Sequence, residues 1–172
     1  MGKIIFVLGG ARSGKSAYAV ELANQQKKKV AFIATCEPLD KEMRERIRFH
    51  KKDRPSNWKT FEEPLFVSRV FKRIGNKYAI ILIDCLTLLI SNLLLKGYKE
   101  KNIEEEVSKI LFALKKNKAK SIIVSNEVGL GIVPDSKLGR DFRDIAGRIN
   151  QIVAKKSDEV FFLLSGIPWR VK

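Results

Sequence analysis

The octapeptide GGARSGKS, residues 9–16, follows the apolar run IIFVL and precedes a helical pattern. Gly9, Gly14, Lys15 and Ser16 satisfy G-x-x-x-x-G-K-[ST] with a strand before and a helix after, the context that raises this motif above a chance match. A chain built around it needs a strand that ends at the loop and a helix that starts from it. The glycines let backbone N–H groups turn inward around phosphate oxygens, Lys15 brings a point charge to the β and γ phosphates, and the Ser16 hydroxyl can ligate Mg²⁺. All eight residues, Gly9, Gly10, Ala11, Arg12, Ser13, Gly14, Lys15 and Ser16, are read as nucleotide-binding, with the positive end of the following helix dipole adding to them. The competing reading is a glycine turn with no ligand.

Runs rich in β-branched residues occur at 3–8, 30–35, 78–84, 121–126 and 159–165, separated by helical patterns. Continuous apolar strands alternating with helices predict an α/β phosphate-loop NTPase domain: a mostly parallel, doubly wound sheet with helices on both faces. With 172 residues, 45% of them hydrophobic, and no linker or repeat, residues 1–172 read as one domain. Ligands of such sheets collect beyond the carboxyl ends of the strands. The distinctive loops sit there: GGARSGKS, the segment around Thr35, DCLT after Ile83 and NEVGLGIVP after Ser125.

The net charge of +15, from 34 Lys and Arg against 19 Asp and Glu, makes a polyanionic partner a candidate. The bases are spread along the chain without an aromatic-rich basic strip, so the charge supports nucleotide affinity and no nucleic-acid partner is expected. Cys36 and Cys85 are too far apart for a CxxC motif and give no disulfide framework, which fits a reducing, cytoplasmic setting. The N-terminal apolar stretch lacks a cleavage pattern, and LTLLISNLLL at 86–95 is about half the roughly 20 residues of a spanning helix. No membrane span is expected.

Asp84 ends the strand YAIILID, where an acidic residue near the metal sits in phosphate-loop enzymes. The competing, weaker reading is a helix N-cap carboxylate for the apolar helix beyond it. Cys85 reads as a small buried residue rather than a nucleophile. His50 is the single histidine; Met43, Ile47 and His50 share one helical stripe, and the helix should stop near Asp53 because Pro55 disfavours helical geometry at Arg54. A lone histidine on such a stripe can be a packing residue. Against that stand its place on the phosphate-loop edge of the sheet, the basic Lys51, Lys52 and Arg54 after it, and an imidazole that is largely neutral at pH 7 and can attack phosphorus. One histidine and two separated cysteines do not make a tetrahedral zinc site without carboxylates.

GGARSGKS, RIRFHKKDRPSNWKTFE at 46–62, SNEVGLGIVP at 125–134 and RDFRDIAGRINQ at 140–151 together resemble the bifunctional adenosylcobinamide kinase/adenosylcobinamide-phosphate guanylyltransferase family of cobalamin biosynthesis. The resemblance covers nearly the whole chain. It implies a RecA-like sheet and two reactions: phosphorylation of the aminopropanol hydroxyl of adenosylcobinamide from ATP or GTP, then transfer of GMP from GTP to adenosylcobinamide phosphate. By resemblance His50 is the nucleophile that carries GMP, with Lys15 the other catalytic residue. Lys51, Lys52, Asp53 and Arg54 match the nucleotide-contacting segment after it. Ala34, Thr35 and Cys36 match the loop after the second strand, and Glu62 and Asp84 match acidic nucleotide-binding positions. Some members carry a second histidine before the active one, where this chain has Phe49; a relative's Glu at the acidic strand end is Asp84 here, one methylene shorter. Nucleotide and corrinoid are the implied substrates, Mg²⁺ the implied cofactor and a homotrimer the implied assembly.

The later signatures are less legible. In the helix after Asp135, the spacing of Leu138, Phe142, Ile145, Ile149 and Ile152 predicts a core-facing stripe. Arg140, Arg143 and Asp144 then fall on other sides, as a salt-bridged face or as substrate contacts. Glu127 could meet substrate or metal. Two other functions remain open on sequence grounds: a nucleic-acid-dependent phosphate-loop ATPase, and a small-molecule kinase without guanylyl transfer.

Overall fold

The computed structural model describes residues 2–25, 28–37, 45 and 55–172. In chain order the elements are β1 (Ile4–Gly9), α1 (Lys15–Asn24), β2 (Val30–Ala34), β3 (Lys59–Glu62), a 3-10 turn (Val67–Arg69) leading into α2 (Val70–Ile74), β4 (Ile80–Asp84), α3 (Leu86–Leu95), α4 (Glu100–Lys116), β5 (Lys120–Asn126), α5 (Lys137–Lys156), β6 (Glu159–Leu164) and β7 (Ile167–Arg170). The strands form one sheet in the order β3-β2-β4-β5-β1-β6-β7, parallel except for the β6–β7 pair.

Side chains alternate across the pleat, and both faces are covered. Ile4, Phe6, Ile33, Ile81, Ile83 and Ile123 pack under α2, α3, α4 and α5. Ile5, Val7, Phe32, Ile80, Leu82 and Ile122 pack with Ala19, Leu22 and Ala23 of α1 and with Trp58. Burial on both sides explains why these strands read as unbroken apolar runs. Phe6 is fully buried, and truncating such a residue to Ala costs about 3–5 kcal/mol. Among the described residues no helix is long and apolar enough to cross a membrane.

All five expected strands form, with ends shifted by one or two residues. Two further strands, β3 and β7, form the edges of the sheet where the sequence patterns predict none. In α5, Ile145 and Ile149 are buried as expected and Phe142 and Ile152 pack against the core, but Leu138 is 51% exposed. Length explains the exception. The 20 residues of α5 span about 30 Å at ~1.5 Å each, whereas a six-residue strand spans about 20 Å, so the first turn overhangs the sheet.

Candidate active site at the carboxyl edge of the sheet

Gly9 ends β1 in the buried centre of the sheet, and the loop turns at once into α1, which opens at Lys15. Gly14, the N-cap residue, has φ of 88°, a conformation glycine adopts without penalty. At Gly9 the constraint is space: a Cβ there would lie 2.4 Å from Ser13 Oγ and 2.9 Å from the Leu163 carbonyl. Gly10 is half-buried, Ala11 and Arg12 are exposed, and Arg12 has φ of 56°. Ser13 is buried, Ser16 half-buried. Lys15 Nζ donates to the Gly10 carbonyl at 3.0 Å, inside the curve of the loop. Burial lowers its pKa from the ordinary lysine value, opposed by the nearby Cys85 and Asp84.

Register brings the acidic residues to one level. Ala34 pairs with Glu62 on one side and with Asp84 on the other. Paired residues share a face, and Ala34 belongs to the α1 side, so Glu62 and Asp84 also project to the side that carries the phosphate-loop helix. Thr35 is fully buried. Its hydroxyl accepts from the Cys85 N–H at 2.9 Å and donates to the Cys85 carbonyl at 2.7 Å, and so holds the peptide that follows Asp84. Cys36 is half-buried. Burial, and then the charge of Asp84, pushes the Cys85 thiol up to about 12, so it is neutral at physiological pH. That fits a packing residue. His50, Lys51, Lys52, Asp53 and Arg54 lie outside the described residues.

A ring of buried polar groups, absent from the sequence reading, supports the centre of this edge. The Asn126 N–H donates to Thr87 Oγ1 at 2.6 Å; Thr87 Oγ1 and Ser125 Oγ are 3.0 Å apart; Ser125 Oγ donates to Asn150 Oδ1 at 2.8 Å. Asn150 Nδ2 closes the ring on the Asn126 carbonyl at 3.0 Å. Because the single Ser125 proton goes to Asn150, Thr87 is the donor to Ser125. The ring fixes both backbone polar groups of Asn126, and the next N–H, that of Glu127, donates to the Gly9 carbonyl at 3.0 Å. Strand β5, helix α3 and helix α5 thus converge on the start of the phosphate loop. The one sequence signal was Asn150, a polar residue beside Ile149 in an otherwise apolar seam.

Glu127 accepts from the Gly129 N–H at 2.8 Å, within its own loop. Arg140 Nη1 donates to the carbonyls of Pro134 and Asp135. Arg143 pairs with Asp144 and Lys137 with Asp141 on the outer face of α5. In the loop that α5 ends, Leu130, Ile132 and Val133 are exposed.

Over residues 5–171 the chain matches the family described as cobinamide kinase/cobinamide phosphate guanyltransferase (CobU). The chain belongs to that family. It is 38% identical to the bifunctional adenosylcobalamin biosynthesis protein CobU of Escherichia coli (strain K12), covering 98% of this chain and 99% of that protein. It is 39% identical to the bifunctional adenosylcobalamin biosynthesis protein CobP of Pseudomonas aeruginosa, covering 96% of this chain and 95% of the relative. The RadB recombinase superimposes with a TM-score of 0.55 at 15% identity, over 94% of this chain and 74% of that one. At that identity the likeness is one of fold, a RecA-like phosphate-loop sheet. The loop, the Glu62/Asp84 level and the ring around Asn126 lie at the carboxyl edge of the sheet, the edge where ligands of such sheets collect.

Proposed function

We propose that this one phosphate-loop domain phosphorylates adenosylcobinamide and then guanylylates the product. In the first reaction the aminopropanol hydroxyl oxygen attacks the γ-phosphorus of ATP or GTP, and the nucleoside diphosphate leaves. In the second, an imidazole nitrogen of His50 attacks the α-phosphorus of GTP; the P–N bond forms as pyrophosphate leaves. A phosphate oxygen of adenosylcobinamide phosphate then displaces the imidazole, giving adenosylcobinamide-GDP and free His50. The observation that carries this reading is the match to bifunctional relatives across 98% of the chain, a span that takes in both the phosphate loop and the His50 segment.

The chemistry of the site supports it. Each displacement needs cations around phosphoryl oxygens rather than a strong protein base. Lys15 stands at the loop, and Lys51, Lys52 and Arg54 follow His50 in sequence. The donors also fit Mg²⁺. Among the described residues no three acidic, His or Cys side chains gather as a metal cage, and Mg²⁺ is typically held by one or two protein oxygens together with substrate phosphates. The Ser16 hydroxyl, with Asp84 near Lys15, supplies that set; the ion would neutralise charge on the phosphate oxygens. A homotrimer in the cytoplasm completes the reading.

Protein incubated with α-labelled GTP should retain the label in an acid-labile, alkali-stable bond, and His50→Ala should not. Retained label in that variant refutes His50 as the nucleophile. Loss of guanylyl transfer with γ-phosphoryl transfer intact would separate the two reactions.

A further inference from the structure

The turn joining β6 to β7 lies against the phosphate loop. Ser165 and Gly166 have φ of 48° and 86°, and Leu164 pairs with Ile167 across them, as in a two-residue hairpin turn with positive φ at both positions. The Gly166 N–H donates to the Ser13 carbonyl at 2.9 Å. A Cβ on Gly14 would come within 3.3 Å of the Gly166 Cα, so here backbone packs directly on backbone. The far end of β7 is anchored as well: Lys172 Nζ donates to the carbonyls of Ala154, Lys155 and Ser157 at the C-terminal end of α5.

Among the described residues the only cis peptide is Asp84–Cys85, so the Ser13–Gly14 peptide is trans and its C=O and N–H lie in one plane and point in opposite directions. Holding the Ser13 carbonyl toward the hairpin aims the Gly14 N–H away from it. That amide leads the run of N–H groups at Gly14, Lys15 and Ser16 that opens α1, where donors for a phosphate gather. We propose that the Ser165–Gly166 turn is a positioning element for nucleotide binding, orienting the Ser13–Gly14 peptide toward the phosphates. The inference rests on the phosphate-loop reading above and extends it to the C-terminal hairpin.

The test uses isothermal titration of ATP and of GTP into the full chain. A Cβ on Gly166 would meet nothing within 4 Å, so substitution there is opposed by backbone conformation alone. Gly166→Val, β-branched at positive φ, should weaken both nucleotides roughly tenfold or more, the scale of a hydrogen bond to a charged group. Gly166→Asn, which tolerates left-handed backbone, should stay within about threefold. A merely structural turn predicts something else: a lower thermal midpoint and a smaller competent fraction with Kd unchanged. Unchanged Kd in folded Gly166→Val, or in Gly166→Ala if the valine variant does not fold, overturns the proposal. Failure of the wild-type chain to bind either nucleotide would instead bring down the proposed function, and this inference with it.

Discussion

The hydroxyl of Thr35 holds Cys85 from both sides, accepting from its N–H at 2.9 Å and donating to its carbonyl at 2.7 Å. Both residues are buried, so no water replaces these bonds. The family resemblance implies Thr35 as a nucleotide-binding position; in the structure its hydroxyl is committed to the peptide after Asp84, and its carbonyl accepts from Asn92 Nδ2. Thr35→Val keeps the shape and strips both bonds. It should cost about 1–3 kcal/mol for each group left unpaired and raise the nucleotide KM by displacing Asp84, whereas Thr35→Ser should do neither. Urea denaturation and steady-state kinetics on the two variants check this.

The role proposed for Lys15 in phosphoryl transfer sets function against stability. Its pKa is lowered by burial, so the folded state disfavours its charge. The unfolded chain then binds the proton more tightly, and stability rises with pH between the lowered value and 10.5. Lys15→Met should lack this component, so the stability gap between variant and wild type narrows as pH climbs toward that value. The same variant should lose phosphoryl transfer by on the order of a hundredfold or more. Denaturation curves at neutral and alkaline pH, paired with γ-label transfer, test both halves.

The sequence made the five inner strands legible because burial on both faces leaves unbroken apolar runs, and the phosphate loop because glycine conformations are local. β3 (KTFE) and β7 (IPWR) carry no such run because they are short edge strands with little buried surface; every residue of β7 is exposed. Pro168 further masks β7 as a strand. The Thr87–Ser125–Asn150 ring was illegible for a different reason. Its bonds join residues 24 to 39 apart in sequence, and no local pattern reports such pairings. Ser165–Gly166 is a turn signal in the sequence, but with β7 masked it marks no hairpin, and its contact with the phosphate loop exists only in three dimensions.

Asp158 joins the entry of β1 to that of β6. Its Oδ2 accepts from the Ile4 N–H at 2.7 Å, while its own N–H donates to the Ile4 carbonyl at 2.8 Å. The Ile4 N–H first, and Lys115 second, hold the carboxyl below its ordinary value of 3.8. A depressed acid stabilises the fold fully above its unfolded value and loses that contribution as pH falls through the folded one. Wild type should therefore lose more stability than Asp158→Asn between neutral pH and pH below 3.8. Equal losses in paired denaturation series would contradict this. The group is largely exposed, so the difference should be small.

The ring around Asn126 should behave as a unit. Asn150→Leu removes the acceptor of the Ser125 hydroxyl and the donor to the Asn126 carbonyl, a cost of about 1–3 kcal/mol for each. Thr87→Val removes the acceptor of the Asn126 N–H and the donor to Ser125. If the chain of donors runs from Asn126 through Thr87 and Ser125 to Asn150, the second deletion falls on a ring already broken. The double variant should then be less destabilised than the sum of the singles, with a coupling of about 0.5–3 kcal/mol. Additivity to within about 0.5 kcal/mol would mean separate bonds rather than a ring. Because Glu127 N–H reaches the Gly9 carbonyl directly from this ring, nucleotide affinity should fall in step with stability across the same four proteins. A loss of stability with affinity unchanged would show that the ring holds the sheet edge together but leaves the phosphate loop alone.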